Sequence, residues 1–228
     1  MKVIECKKID TENHDSITYI RIEPENLSVT LRDIITSFSD LSWISRFDKP
    51  YMHSSFQKRA EDTAKYLANK ILKNGGDKIT EDSGEYVVSE LAREALVCEL
   101  KYLDIPLAEL FKEQVSGNPG FDFYSANNRK VIIFGEAKYN SRQNAYGVGM
   151  EQVDRFIREG QDISDLNDID KFFEEESLQM ADKGDKAYAV AFASKGTESE
   201  RIIRGILSNK YYSNIACNKE VIFLAVNI

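Results

Sequence analysis

An apolar run, Val131-Ile132-Ile133-Phe134, leads straight into Gly135-Glu136-Ala137-Lys138. If the run is a strand, residues two apart share a face, so Glu136 and Lys138 point to the same side. Upstream, Phe121-Asp122-Phe123-Tyr124 reads as the partner strand of a hairpin, with Asn127-Asn128 at its turn. Asp122 can then reach that side as well. Two carboxylates and a lysine at a sheet end suit Mg²⁺-dependent phosphodiester cleavage. Mg²⁺ prefers oxygen ligands and usually takes one or two carboxylates beside water and substrate phosphate oxygens. It polarises the phosphoryl group and makes bound water more acidic. A lysine beside the attacking water can orient it, or offset charge as the transition state forms. Hard carboxylate oxygens accept Mn²⁺ too.

The Glu-x-Lys spacing alone says little, since it recurs at Glu5-Cys6-Lys7 and Glu99-Leu100-Lys101. The first has no acid on a preceding strand. The second closes a predicted helix, where the two side chains diverge. The alternative for the third is a polar strand end with an incidental ion pair.

Taken together, Asp122, Glu136 and Lys138 resemble the signature of the PD-(D/E)xK nuclease superfamily, whose fold is restriction-endonuclease-like. The proline of that signature is not adjacent here: Pro119 stands three residues before Asp122. Gly84-Glu85, Pro119-Gly120-Phe121-Asp122 and Gly135-Glu136-Ala137-Lys138 more closely resemble the HamA family, the nuclease subunits of the Hachiman antiphage defence system. That resemblance spans about 80–228. It implies a DNA nuclease effector with Asp122, Glu136 and Ala137 at the metal, acting with a helicase subunit (HamB-like) as partner. Related cores often carry a further acid on the first core helix. At about 100° per residue, Glu85 flanks the face formed by Val88, Leu91, Ala92 and Ala95. Glu90 and Glu94 point nearly opposite, toward solvent. Glu85 is therefore the expected fourth site residue; its other reading is a helix N-terminal carboxylate favoured by the dipole. Gln152 falls where a glutamine sometimes supports the site in related nucleases. Arg155 and Arg158 are placed to meet phosphates, or as readily to pair with Glu151, Asp154 and Glu159 on the same helix.

The elements that must position these residues follow from hydrophobic period. Residues 2–9 and 16–23 read as a β-hairpin. Helices are predicted over 27–47, 54–73, 84–101, 145–160, 166–181 and about 197–208, and strands over 186–193 and 220–227. Gly75-Gly76 stands where a helix C-cap belongs. A polar link over 77–83 divides an N-terminal α+β extension, 1–80, from a nuclease core, 81–228. The fold class is α/β: a mixed sheet core flanked by helices, with that extension.

Composition narrows the function classes. The chain has 228 residues, 42% hydrophobic and 30% charged, an ordinary globular balance. Thirty Lys+Arg against 38 Asp+Glu leave a charge of −8, where a protein that grips nucleic acid unaided shows a basic surplus. Cys6, Cys98 and Cys217 form no zinc spacing and read as small buried hydrophobes in a reducing compartment. His14 and His53 have no partner at metal spacing. No signal-peptide h-region and no run near the ~18 apolar residues of a membrane span is visible, so the expectation is a soluble, cytoplasmic protein without membrane contact. Gly75-Gly76-Asp77-Lys78 lacks P-loop spacing, and Gly147-Val148-Gly149 lacks a third glycine. The rivals to a helicase-dependent nuclease are a non-catalytic nuclease-fold subunit that binds a partner, and a free-standing repair or restriction nuclease.

Overall fold

The computed structural model describes residues 1–11, 14–47, 49–73, 78–112 and 120–228. Strands β1 (Lys2–Thr11) and β2 (His14–Glu23) form the expected antiparallel hairpin. Helix α1 (Leu27–Ser39) is shorter than the helix expected over 27–47. Asp40 turns to extended backbone, its carboxylate accepts the Ser42 N–H at 2.9 Å, and a 3-10 turn over Ser42–Arg46 follows. Helix α2 (Pro50–Leu72) begins at a proline in the first turn, where a missing N–H costs nothing. It buries Phe56, Ala60, Ala64, Leu67 and Ile71, the face read from the sequence. The expected cap at Gly75-Gly76 lies outside the described residues, as does Pro119.

Helix α3 (Glu81–Leu100) opens with the Thr80 N–H donating to Ser83 Oγ at 3.1 Å. A single turn, α4 (Ala108–Phe111), precedes β3 (Phe123–Ala126) and β4 (Ile132–Lys138), the second expected hairpin. At its turn Asn127 Oδ1 accepts the N–H groups of Arg129 and Val131. Helix α5 (Tyr146–Glu159) agrees with expectation. The single helix expected over 166–181 is instead α6 (Gln161–Ile169), a 3-10 turn over Asp170–Phe172, and α7 (Glu175–Asp182). The break brings Phe172 among Trp43, Phe47 and Phe111, its ring 4.7 Å from that of Phe111. Strand β5 (Ala187–Ser194), helix α8 (Ser199–Leu207), a short α9 (Tyr212–Ala216) and strand β6 (Glu220–Asn227) complete the chain.

The six strands form one mixed sheet in the order β1-β2-β6-β5-β4-β3. The central pairs β2/β6, β6/β5 and β5/β4 are parallel, and the two hairpins close the edges. Helices flank the sheet, so β5 is buried at every position and reads as an unbroken apolar run. The link expected over 77–83 is shortened by α3, which begins at Glu81, and residues on both sides of it share this sheet: Ile17–Ile22 of β2 pair with Val221–Val226 of β6. Helix α3 runs against β4, β5 and β6 on one side and α1 and α2 on the other. Among the described residues no helix is long and apolar enough to cross a membrane.

The cysteines correct their reading: all three are exposed and free. Cys98 stands on the outer side of α3, Cys6 on edge strand β1 and Cys217 just past α9, none facing the core. His53 Nε2 lies 2.5 Å from the Phe47 carbonyl, a satisfied polar residue; the side chain of His14 is outside the description.

Candidate active site

Lys138 ends β4, and its stem is held by α5. A Cβ on Gly149 would lie 2.8 Å from Val190 Cγ1 and 3.7 Å from Lys138 Cγ, so glycine lets the helix close on the strand at this point. The ammonium then sits 2.8 Å from Glu136 Oε1 and 3.2 Å from Glu85 Oε1. Glu85 is placed by the first turn of α3, and Gly84 beside it is the close-approach point. A Cβ there would lie 2.1 Å from the ring of Tyr139, so the ring packs on bare helix backbone. The Ser141 N–H donates to Glu81 Oε1 at 3.1 Å and ties the same loop to α3.

Asp122 enters from the other strand of the hairpin. Its N–H donates to the Gly135 carbonyl at 2.9 Å, and its Oδ2 accepts the Ala137 N–H at 2.7 Å. Asp122, Glu136, Lys138 and Glu85 are therefore brought together as the sequence predicts, with Ala137 between Glu136 and Lys138.

Glu136 is wholly buried; its Oε1 faces the Lys138 ammonium, and its Oε2 has no hydrogen-bond partner. A buried charge in that state is costly unless something compensates it. Burial, and then the charge of Asp122, push its carboxyl well above the usual carboxylate range, against the pull of Lys138. Burial also raises Asp122, opposed by Lys138 and the Ala137 N–H. Burial alone would lower Lys138, but Glu136, Asp122 and Glu85 offset it and hold the ammonium above its ordinary value.

A further carboxylate, missed in the sequence, belongs to this cluster. Glu109 on α4 carries a buried Oε2 without a hydrogen-bond partner, and burial followed by Asp122 raises its pKa. The neighbouring Ala108 N–H donates to the Asp122 carbonyl at 3.0 Å, which docks the turn on the site. A four-residue helix has no hydrophobic period, so nothing local marks Glu109 in the sequence.

Glu90 corrects its expected direction. It is buried, not in solvent: Arg93 Nη2 lies 2.7 Å from its Oε1, and Ser37 Oγ donates to it. Glu94 is half-buried, and burial raises it. The second side of α3 is covered by α1, which the helical phase of α3 alone cannot show. Glu90 is thus shut in a separate ion pair and does not join the site. Arg158 pairs with Asp154 at 3.0 Å, the structural alternative. Arg155 is exposed, its guanidinium 5.4 Å from the Phe156 ring centre. Gln152 stands three residues after Gly149, on the helix that holds Lys138.

Among the described residues no group of three or more His, Cys, Asp or Glu is arranged to hold a metal ion. The donor set nevertheless fits a hydrated hard cation, which needs only one or two carboxylates and completes its shell with water. Glu136 supplies Oε2, which no donor has claimed, Asp122 keeps Oδ1 when Oδ2 is on Ala137, and Ala137 has only its main-chain carbonyl to offer. Glu136, Asp122 and Glu85 act on Lys138, and Lys112 acts on Asp122 and Glu109, so four acids stand against two lysines. Comparison with protein-family models, curated proteins and solved structures finds no significant match.

Proposed function

We propose that this chain is a Mg²⁺-dependent DNA nuclease of the PD-(D/E)xK type, the effector subunit of an antiphage defence system that works with a helicase partner. The observation that carries the reading is Glu136: a wholly buried carboxylate with Oε1 2.8 Å from a lysine, Oε2 without a partner, and Asp122 in the same cluster. An ordinary strand-end ion pair does not need to be dry. Asp122 and Glu136, with Glu85 and Glu109 beside them, would hold Mg²⁺ or Mn²⁺. When bound, the ion acidifies water and polarises the phosphoryl group. Lys138 is positioned by two carboxylates to orient the attacking water and to offset charge gathering on the phosphoryl oxygens. The N–H of Ala137 fixes which oxygen of Asp122 is left free. The HamA-like motifs support DNA as substrate and a helicase as partner, and the acidic chain agrees with a nuclease to which DNA must be brought.

The test is cleavage of supercoiled plasmid by the chain with its helicase. Glu136→Ala and Lys138→Ala should each lower the rate by at least about 100-fold. EDTA should stop the reaction, and Mg²⁺ or Mn²⁺ should restore it. Cleavage retained by either variant, or full activity in EDTA, rejects this site.

A further inference from the structure

Asp165 of α6 lies outside the acid cluster and is itself buried. Four groups converge on its carboxylate: the Phe121 N–H at 3.1 Å, the Tyr124 hydroxyl at 2.6 Å, the Gln161 amide at 2.9 Å and the Lys112 ammonium at 2.8 Å. Two of these donors, Phe121 and Tyr124, bracket Asp122 in the chain. Gly120 of the sequence motif meets the same ion pair. A Cβ at Gly120 would lie 2.4 Å from Lys112 Nζ and 3.3 Å from Asp165 Oδ1, so the ion pair rests directly on the backbone that leads into Asp122.

Burying an ion pair carries a desolvation cost that often exceeds its Coulombic gain, and well-packed apolar residues of similar volume are often as stable. This pair does something apolar residues cannot: it receives a main-chain N–H and a hydroxyl at fixed distances on either side of one aspartate. We propose that Asp165, with Lys112 as its counter-ion, is a positioning residue for Asp122. It fixes the 120–124 segment from α6, so that Asp122 Oδ2 meets the Ala137 N–H and the carboxylate turns toward Glu136 and Lys138. Its consequence for a bound cation rests on the nuclease reading; the positioning itself does not.

The Ala137 amide is the reporter, because its proton lies on Asp122 Oδ2. In amide NMR spectra, Asp165→Asn should shift this resonance and speed its hydrogen exchange by about tenfold or more. Asp122→Asn should do the same, and the double variant should add nothing beyond Asp122→Asn, as two residues acting through one contact require. Amides of β6 should stay in place. Tyr124→Phe removes one donor only; it should move the Ala137 signal part of the way, and it carries the test if Asp165→Asn does not fold. Mn²⁺ titration gives the functional consequence: about 10–100-fold weaker binding in Asp165→Asn, and no further loss when Asp122 is already replaced. An Ala137 amide unmoved in both Asp165→Asn and Tyr124→Phe overturns the proposal, as do equal effects of Asp165→Asn with and without Asp122. If the amide moves as expected but the wild-type chain binds no Mn²⁺, the positioning role stands and the nuclease reading falls.

Discussion

Glu136 and Glu90 are both closed off from water, and their surroundings set different tasks. Glu90 is held by Arg93 and Ser37, so Glu90→Gln leaves a buried guanidinium half-paired. Breaking a buried pair costs about 3–5 kcal/mol. Glu85 is nearly half exposed and touches Lys138, so Glu85→Gln should lower plasmid cleavage and leave the melting temperature almost unchanged. Glu90→Gln should do the reverse. Loss of cleavage by Glu90→Gln well below its melting midpoint would count against the division. The acid cluster also predicts a pH effect. Burial raises Glu136, Asp122 and Glu109. Unfolded carboxylates titrate near 4, so these groups favour the folded state while protonated, and that stability is lost as pH rises through their folded values. Glu5, Asp40 and Glu81 are lowered, and act only as pH falls toward 4 and below. In EDTA the melting temperature should therefore fall between pH 5 and 8, Glu136→Gln should flatten the fall, and Mg²⁺ should oppose it. A melting temperature that rises over this range in EDTA would contradict the cluster. Asp122, Glu136, Lys138 and Glu85 were legible because strand alternation and helix phase are local. Glu109 and the buried state of Glu90 were not, because each depends on an element far off in the chain.

Helix α3 and the loop after β4 meet where Gly84 faces Tyr139, and that contact decides where Glu85 stands. Gly84→Ala puts a methyl 2.1 Å from the ring, which forces helix and loop apart. Overpacking of this kind costs about 1–3 kcal/mol. Cleavage should fall with the melting temperature, because Glu85 moves with the helix. Adding Tyr139→Ala should make the double variant less destabilised than the two single effects sum to; strict additivity would show that the contact is not the cause. The elements that carried such contacts were readable to different degrees. Strands β5 and β6 appear as plain apolar runs, since both faces of the central sheet are covered. The break between α6 and α7 was hidden, because its cause is Phe172 packing on Trp43, Phe47 and Phe111, residues more than sixty positions away. The single turns α4 and α9 are too short for any period to register.

The whole molecule is arranged against a polyanion. Its charge is −8, and several of its surface cations already face carboxylates. Lys7 pairs with Glu5 and Glu200, Lys130 with Glu174 and Glu176, Arg158 with Asp154 and Lys219 with Asp185. The acid cluster at the end of β4 adds local repulsion until a divalent ion offsets it. Nonspecific DNA affinity comes mainly from counter-ions released as Lys and Arg neutralise phosphates, and here acids outnumber those groups. At physiological salt the repulsion reaches only about 8–10 Å, so a partner that carries basic surface and holds a strand at the cluster can overcome it. The expected outcome is weak binding of labelled DNA by the isolated chain, with a shallow salt dependence, and tight binding by its complex with the helicase. The measurement is a titration at physiological salt with Ca²⁺ in place of Mg²⁺ to suppress cutting. A chain that binds DNA alone as tightly as the complex does would overturn delivery by a partner, and would favour a free-standing nuclease that finds its own substrate.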